Sequence, residues 1–169
     1  MSLTFALDPP SASHKDPVLI SGDESRLHTS KVYVLHWEQD ELTAVFEIRY
    51  DYHVVSFKQA ELIDQMLVVG HESHLYVFDI QRLKSLLVLK MEGYFCNLYT
   101  SEKVFYATDA QGVYAIDKTG KILWTSPTLG IDGVIIEELT STQIVGSGEY
   151  DPPGGWINFV IDKRTGQHK

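Results

Sequence analysis

Residues 113–124 read VYAIDKTGKILW. A β-branched and aromatic run ends in aspartate, a Lys-Thr-Gly-Lys turn follows, and a second apolar run closes on tryptophan. What constrains the fold is that this pattern recurs. Segments 18–48, 66–91, 104–126 and 144–169 each open with a short apolar strand and a polar loop. Each continues into a longer strand ending at His36, Asp79, Asp117 or Asp162, and a polar turn follows. The intervals between those four residues are 43, 38 and 45. Further apolar stretches lie between the segments: YHVVSF (52–57), YFCNLY (94–99) and GVIIEEL (133–139). Each unit therefore holds about four strands in about 42 residues, the size of one propeller blade. Apolar runs of strand length bounded by turn clusters predict an all-β chain. One weak helical candidate, at most two turns long, spans Lys58–Gln65.

The aspartate has a local task. A carboxylate at a strand end accepts backbone N–H groups of the following turn. Gly120 and Gly166 supply the positive φ such a turn requires. Trp124 ends the outer strand and is placed to cover the junction with the next sheet.

Tyr114, Ala115, Asp117, Thr119, Gly120, Lys121 and Trp124 together resemble the pyrroloquinoline-quinone-like repeat, the blade unit of quinoprotein-type β-propellers. The fourth unit keeps Asp162, Thr165 and Gly166. The second keeps Tyr76 and Asp79 but has Leu83 at the turn glycine, and the first has His36 at the aspartate position. The resemblance implies an all-β, β-propeller-like fold of about four units, at about 18–57, 58–99, 100–139 and 140–169. Residues 1–17 form an N-terminal strand and proline-rich arm ahead of this single domain. Residues 3–7 are expected to complete the last unit and close the ring. No cofactor is expected, because cofactor-using quinoproteins are larger complete rings. The lone Cys96 also excludes the adjacent-cysteine disulfide of some of them.

The formal net charge is −9, with a pI near 5.1. A phosphate backbone would be repelled, so nucleic acid is not an expected partner, whereas a cationic protein would be attracted. The first 20 residues lack the basic start and sustained apolar run of a secretory signal. No apolar stretch approaches the roughly 20 residues that span a bilayer. A cytoplasmic location without membrane association is the expectation, with the chain a monomer or homodimer.

Two clusters stand out chemically. Glu149-Tyr150-Asp151-Pro152-Pro153-Gly154-Gly155-Trp156 is longer than the equivalent connections HESH and DAQG, so it is an insertion. It sets acids and two aromatics beside a rigid turn, the composition of a binding surface. Arg49-Tyr50-Asp51-Tyr52-His53, between two strands, is a second polar-aromatic loop whose Tyr52 and His53 would share its face. His71 and His74, three apart, are the most metal-like pair, with His53 or Asp79 able to complete a site. The expected role of this HESH stretch is instead a solvated turn. Glu137 and Glu138 are strand neighbours and face opposite ways. No nucleophile elbow, Walker loop or Cys-x-x-Cys is present.

The expected function is therefore a non-enzymatic, protein-binding domain, for which bacterial immunity or scaffold proteins are analogies. The alternative is a carbohydrate-binding module or small-molecule enzyme with its site at the propeller mouth.

Overall fold

The computed structural model describes residues 1–9, 16–51, 57–101 and 104–169. Among the described residues fifteen strands form four separate sheets, none closed on itself, and no α-helix occurs. The first sheet contains β1 (Ser2–Ala6), β2 (Val18–Leu19), β3 (Ser30–Glu38) and β4 (Glu41–Tyr50), in the order β1-β3-β4-β2. β2 is parallel to its neighbour β4. One 3-10 turn, Asp23–Leu27, follows β2. The second sheet is an antiparallel meander of β5 (Lys58–Ile63), β6 (Met66–His71), β7 (His74–Asp79) and β8 (Lys84–Lys90). The third repeats it with β9 (Phe95–Thr100), β10 (Val104–Asp109), β11 (Val113–Asp117) and β12 (Ile122–Thr125). The fourth has three strands, β13 (Val134–Leu139), β14 (Gln143–Glu149) and β15 (Trp156–Asp162).

The period of two explains how the sheets stack. On β6 and β7, Leu67, Val69, Tyr76 and Phe78 pack on the first sheet's Val32, Val34, Phe46 and Ile48. The alternate residues Val68, Leu75 and Val77 pack on Phe95, Phe105 and Ala107 of the third sheet. Likewise Tyr106 and Ala115 face Val134, Ile144, Phe159 and Ile161 of the fourth. Strands covered on both faces read as unbroken apolar runs, as MLVVG and LYVFD do. Along one side β1 touches β5, β5 touches β9 and β9 touches β13.

Three expectations are corrected. Ser2–Ala6 does not extend the last sheet. It pairs with β3, with Leu3 opposite His36 and Phe5 opposite Val34. The reason is burial: Leu3 and Phe5 join the core between the first two sheets. The free edge of β15 is instead approached by the residues after it, through an Ile161–His168 bridge and a Lys169 N–H donated to the Val160 carbonyl (3.1 Å). Second, Lys58–Ile63 is a strand, paired residue for residue with β6. A two-turn helix would carry an unfavourable nucleus, whereas β6 offers a complete hydrogen-bonding edge. Third, YFCNLY and GVIIEEL open the third and fourth sheets rather than closing the second and third.

The turns behave as read. Asp117 Oδ1 accepts the N–H groups of Thr119 (2.8 Å) and Lys121 (3.1 Å). Asp162 does the same for Arg164 and Thr165, and Asp79 for Gln81 and Arg82. These bonds favour the ionised carboxylates and hold all three below the ordinary range, although burial opposes this most strongly at Asp117. Trp124 lies against Gly166 of the next sheet's turn and donates its indole N–H to Lys163 O (3.2 Å). Leu86, seven residues after Asp79 as Trp124 is after Asp117, covers Gly120 in the same way.

Candidate functional site

The β8–β9 and β12–β13 connections meet the β6–β7, β10–β11 and β14–β15 turns at one end of the molecule, because antiparallel pairing alternates strand direction. The Asp-braced turns lie at the opposite end. The sequence motifs that specify the fold are thus separated from the chemically varied loops.

At the loop end, a cleft of about 250 Å³ opens between the third and fourth sheets. Phe57 enters it from just before β5, Tyr94 and Cys96 from the start of β9, Asp132 from the segment before β13, and Glu149 and Trp156 from the ends of β14 and β15. The backbone explains the convergence. Glu149 O accepts the N–H groups of Ile131 (2.8 Å) and Asp132 (3.2 Å), and Glu149 N–H donates to Gly133 O (2.9 Å). The entry to β13 is thereby strapped to the end of β14. Within the inserted loop Gly155 N–H donates to Asp151 O (3.0 Å) and Gly154 N–H to Glu149 Oε1 (2.7 Å), which folds the loop back and presents Trp156.

Tyr94 is the centre of this arrangement. Its hydroxyl donates to Asp132 O (2.6 Å) and Oδ1 (3.1 Å). Its ring stacks with Phe57 at 6.0 Å and 30°. Burial raises its pKa, and the bond to Asp132 and the Asp132 and Glu149 charges raise it further, so the phenol stays protonated and donating. Burial also pushes the Cys96 thiol up to about 11, which leaves it a poor nucleophile at neutral pH. Phe57 and Trp156 remain 52% and 43% exposed. Large half-exposed aromatics grouped at one cleft are unusual for surface that has no partner.

Glu149 and Trp156, anticipated from the loop, thus line the cleft. Tyr150 and Asp151 do not: Tyr150 turns its hydroxyl to Thr128 O (3.2 Å), and Asp151 serves the loop through its carbonyl. Tyr52 and His53 lie outside the described residues. Phe57, Tyr94 and Asp132 escape a motif search because they sit at strand starts far apart in sequence. Phasing the repeat one strand later would have brought YFCNLY and GVIIEEL to this end and pointed to them.

His71 and His74 sit directly opposite each other across the β6–β7 hairpin. The expectation of a solvated turn is corrected, because His71 is 5% and Glu72 3% exposed. His71 packs edge-on against Tyr50 (4.8 Å), while His74 stacks on Tyr76 (5.7 Å) and is held below its ordinary pKa by burial. A second cleft of about 270 Å³ lies here, between the first two sheets. Its polar groups bond one another: Ser21 Oγ to Ser25 Oγ (2.6 Å), Arg49 N–H to Ser21 Oγ (3.0 Å), and His28 Nε2 to Asp51 Oδ1 (3.2 Å). Among the described residues no group of three or more His, Cys, Asp or Glu is gathered for a metal ion.

No family model matches the chain, and no curated protein matches it. Among solved structures it is similar to Kuenenia stuttgartiensis hydrazine synthase, with a TM-score of 0.56 and 16% identity. The match covers 82% of this chain and 41% of that one, so the chain spans about two fifths of that protein's length. At this identity the similarity concerns the fold alone.

Proposed function

We propose that the chain is a non-enzymatic binding module of β-propeller-like build, made of quinoprotein-type repeats, that recognises another protein at the loop-end cleft. Support for the build comes from successive four-stranded meanders packed face to face, with β1, β5, β9 and β13 in contact along one side. The observation that carries the binding reading is the gathering of half-exposed Phe57 and Trp156 around the more buried Tyr94 at one shallow cleft. Aromatic anchors of this kind dominate protein interfaces. Among the described residues none at the cleft is arranged as nucleophile and base, and the Cys96 thiol is protonated at neutral pH. An immunity-type role, with an oppositely charged toxin as partner, is one instance of this reading.

The test is affinity capture followed by reconstitution with the purified partner, comparing the wild type with Phe57→Ala/Trp156→Ala. Both side chains are exposed, so the variant is expected to melt like the wild type while losing the partner. Equal capture by both would sink the reading. A carbohydrate-binding module is the second reading, favoured by Trp156 standing beside Asn97 and two carboxylates that would accept sugar hydroxyls. Saturable binding of a glycan, with no protein partner, would select it.

A further inference from the structure

We propose that the cleft takes the guanidinium of an arginine presented by the partner, an inference that rests on the protein-binding reading above. The aromatic surfaces fit a flat cation. A point above Gly133 lies 3.6 Å from the far edge of the Trp156 indole and 3.9 Å from the Tyr94 hydroxyl oxygen. The Phe57 ring continues the same wall. A planar, weakly hydrated guanidinium stacks on such rings, whereas an ammonium keeps more of its water.

The charges complete the site. Asp132 and Glu149 line the cleft, and no Lys, Arg or His does so among the described residues. Each carboxylate spends one oxygen locally, Asp132 Oδ1 on Tyr94 and Glu149 Oε1 on Gly154 N–H. Oδ2 of Asp132 and Oε2 of Glu149 accept no hydrogen bond among the described residues, so both can receive a guanidinium N–H. The adjacent Lys58 does not fill the cleft; its ammonium lies over the Phe5 ring, 5.5 Å from the centroid. The cleft's volume suits one side chain rather than a whole small-molecule ligand. The net charge of −9 raises the encounter rate with a basic partner.

The experiment is an NMR titration with N-acetyl-arginine methylamide, run beside the blocked lysine and the blocked citrulline, its neutral isostere. The expected result is a saturable shift of the Trp156 indole N–H and the Asn97 side-chain amide with arginine, weaker with lysine and absent with citrulline. Asp132→Asn or Glu149→Gln should each weaken binding about 5- to 10-fold. The amide oxygen introduced by Glu149→Gln can keep the bond from Gly154 N–H, so the loop is preserved. Glu41→Gln, the same charge change at the far end of the molecule, should leave binding unaltered. Equal responses to arginine and citrulline, or to arginine and lysine, would overturn the assignment. So would equal weakening by Glu41→Gln, or no saturable shift at all. The capture experiment separates the two levels. If Phe57→Ala/Trp156→Ala loses the partner while arginine gives no response, the arginine assignment fails and protein binding stands. If arginine binds but capture is unchanged, the protein-binding reading fails, and with it the partner as the source of the arginine, while the cleft's affinity for a guanidinium stands.

Discussion

Gly120 answers two demands at once, and substituting it weighs them. Its φ is +82°, and a Cβ built there would stand 2.8 Å from Leu86 Cβ and 3.2 Å from the Leu86 carbonyl carbon. Alanine at a positive φ costs about 1 kcal/mol. Forcing an extra carbon against backbone-anchored atoms adds about 1–3 kcal/mol. Gly120→Ala should therefore destabilise by about 2–4 kcal/mol, a loss of about 10 °C in Tm for a chain of this size. Leu83 is the natural control. It occupies the same turn position in the second sheet with φ +51°, and it is 63% exposed. The strand that would cover it belongs to the first sheet, whose edge there is only the two-residue β2. Leu83 meets the conformational demand without the close approach, so a side chain is tolerated at the cost of strain. Leu83→Gly should stabilise by about 0.5 kcal/mol, the strain relieved less the entropy glycine adds to the unfolded chain. The assay is urea denaturation followed by far-UV circular dichroism, with the slope checked for constancy. A cost under about 1 kcal/mol for Gly120→Ala, no larger than the backbone term, would refute the close-approach argument. Destabilisation by Leu83→Gly would refute the strain argument.

Four further outcomes are expected. Gly166→Ala should be destabilising and partly rescued by Trp124→Leu, because its Cβ would run into the indole ring; additive effects in a double-mutant cycle would contradict the contact. Asp79, Asp117 and Asp162 have folded-state pKa values below their unfolded ones, so the stability they contribute is present above about pH 4 and is lost as pH falls through the folded values. Asp117→Asn should flatten that part of the acid-unfolding profile, and an unchanged profile would show the turn bonds to be inert. Cys96, pushed up to about 11 by burial, should react with iodoacetamide at pH 8 about 10-fold more slowly than a free thiol, the scarcity of thiolate outweighing its higher nucleophilicity, and unfolding in urea should restore the rate. Phe57→Ala/Trp156→Ala should change stability by no more than about 0.5 kcal/mol, since both rings are half exposed; a large loss would mean that they are core and not site.

Much of the local structure is legible because its causes are local. Asp117, Thr119 and Gly120 interact within one short turn, so the turn can be read from a short string and then recognised again at Asp79 and Asp162. The insertion at 149–156 shows itself as a departure from the repeat, and it supplies Glu149 and Trp156. Tyr150 and Asp151 have the same composition-level appeal, yet one bonds Thr128 and the other braces its own loop. Side-chain direction within a loop is set by bonds that composition does not encode. HESH misleads for a related reason: polar residues signal a turn, but whether water reaches the turn depends on Tyr50 from another sheet.

The sequence by itself determined strands of period two, Asp-braced turns and a repeat of about 42 residues, since these follow from side-chain alternation and short-range hydrogen bonds. Tertiary structure decided which strands share a sheet. Ser2–Ala6 belongs with β3, and YFCNLY opens a sheet, because pairing is settled by which apolar faces can be buried together across long stretches of chain. It also decided the site. Phe57, Tyr94, Asp132 and Trp156 are spread over more than half of the chain, and only the stacking of the sheets brings their strand ends to one cleft.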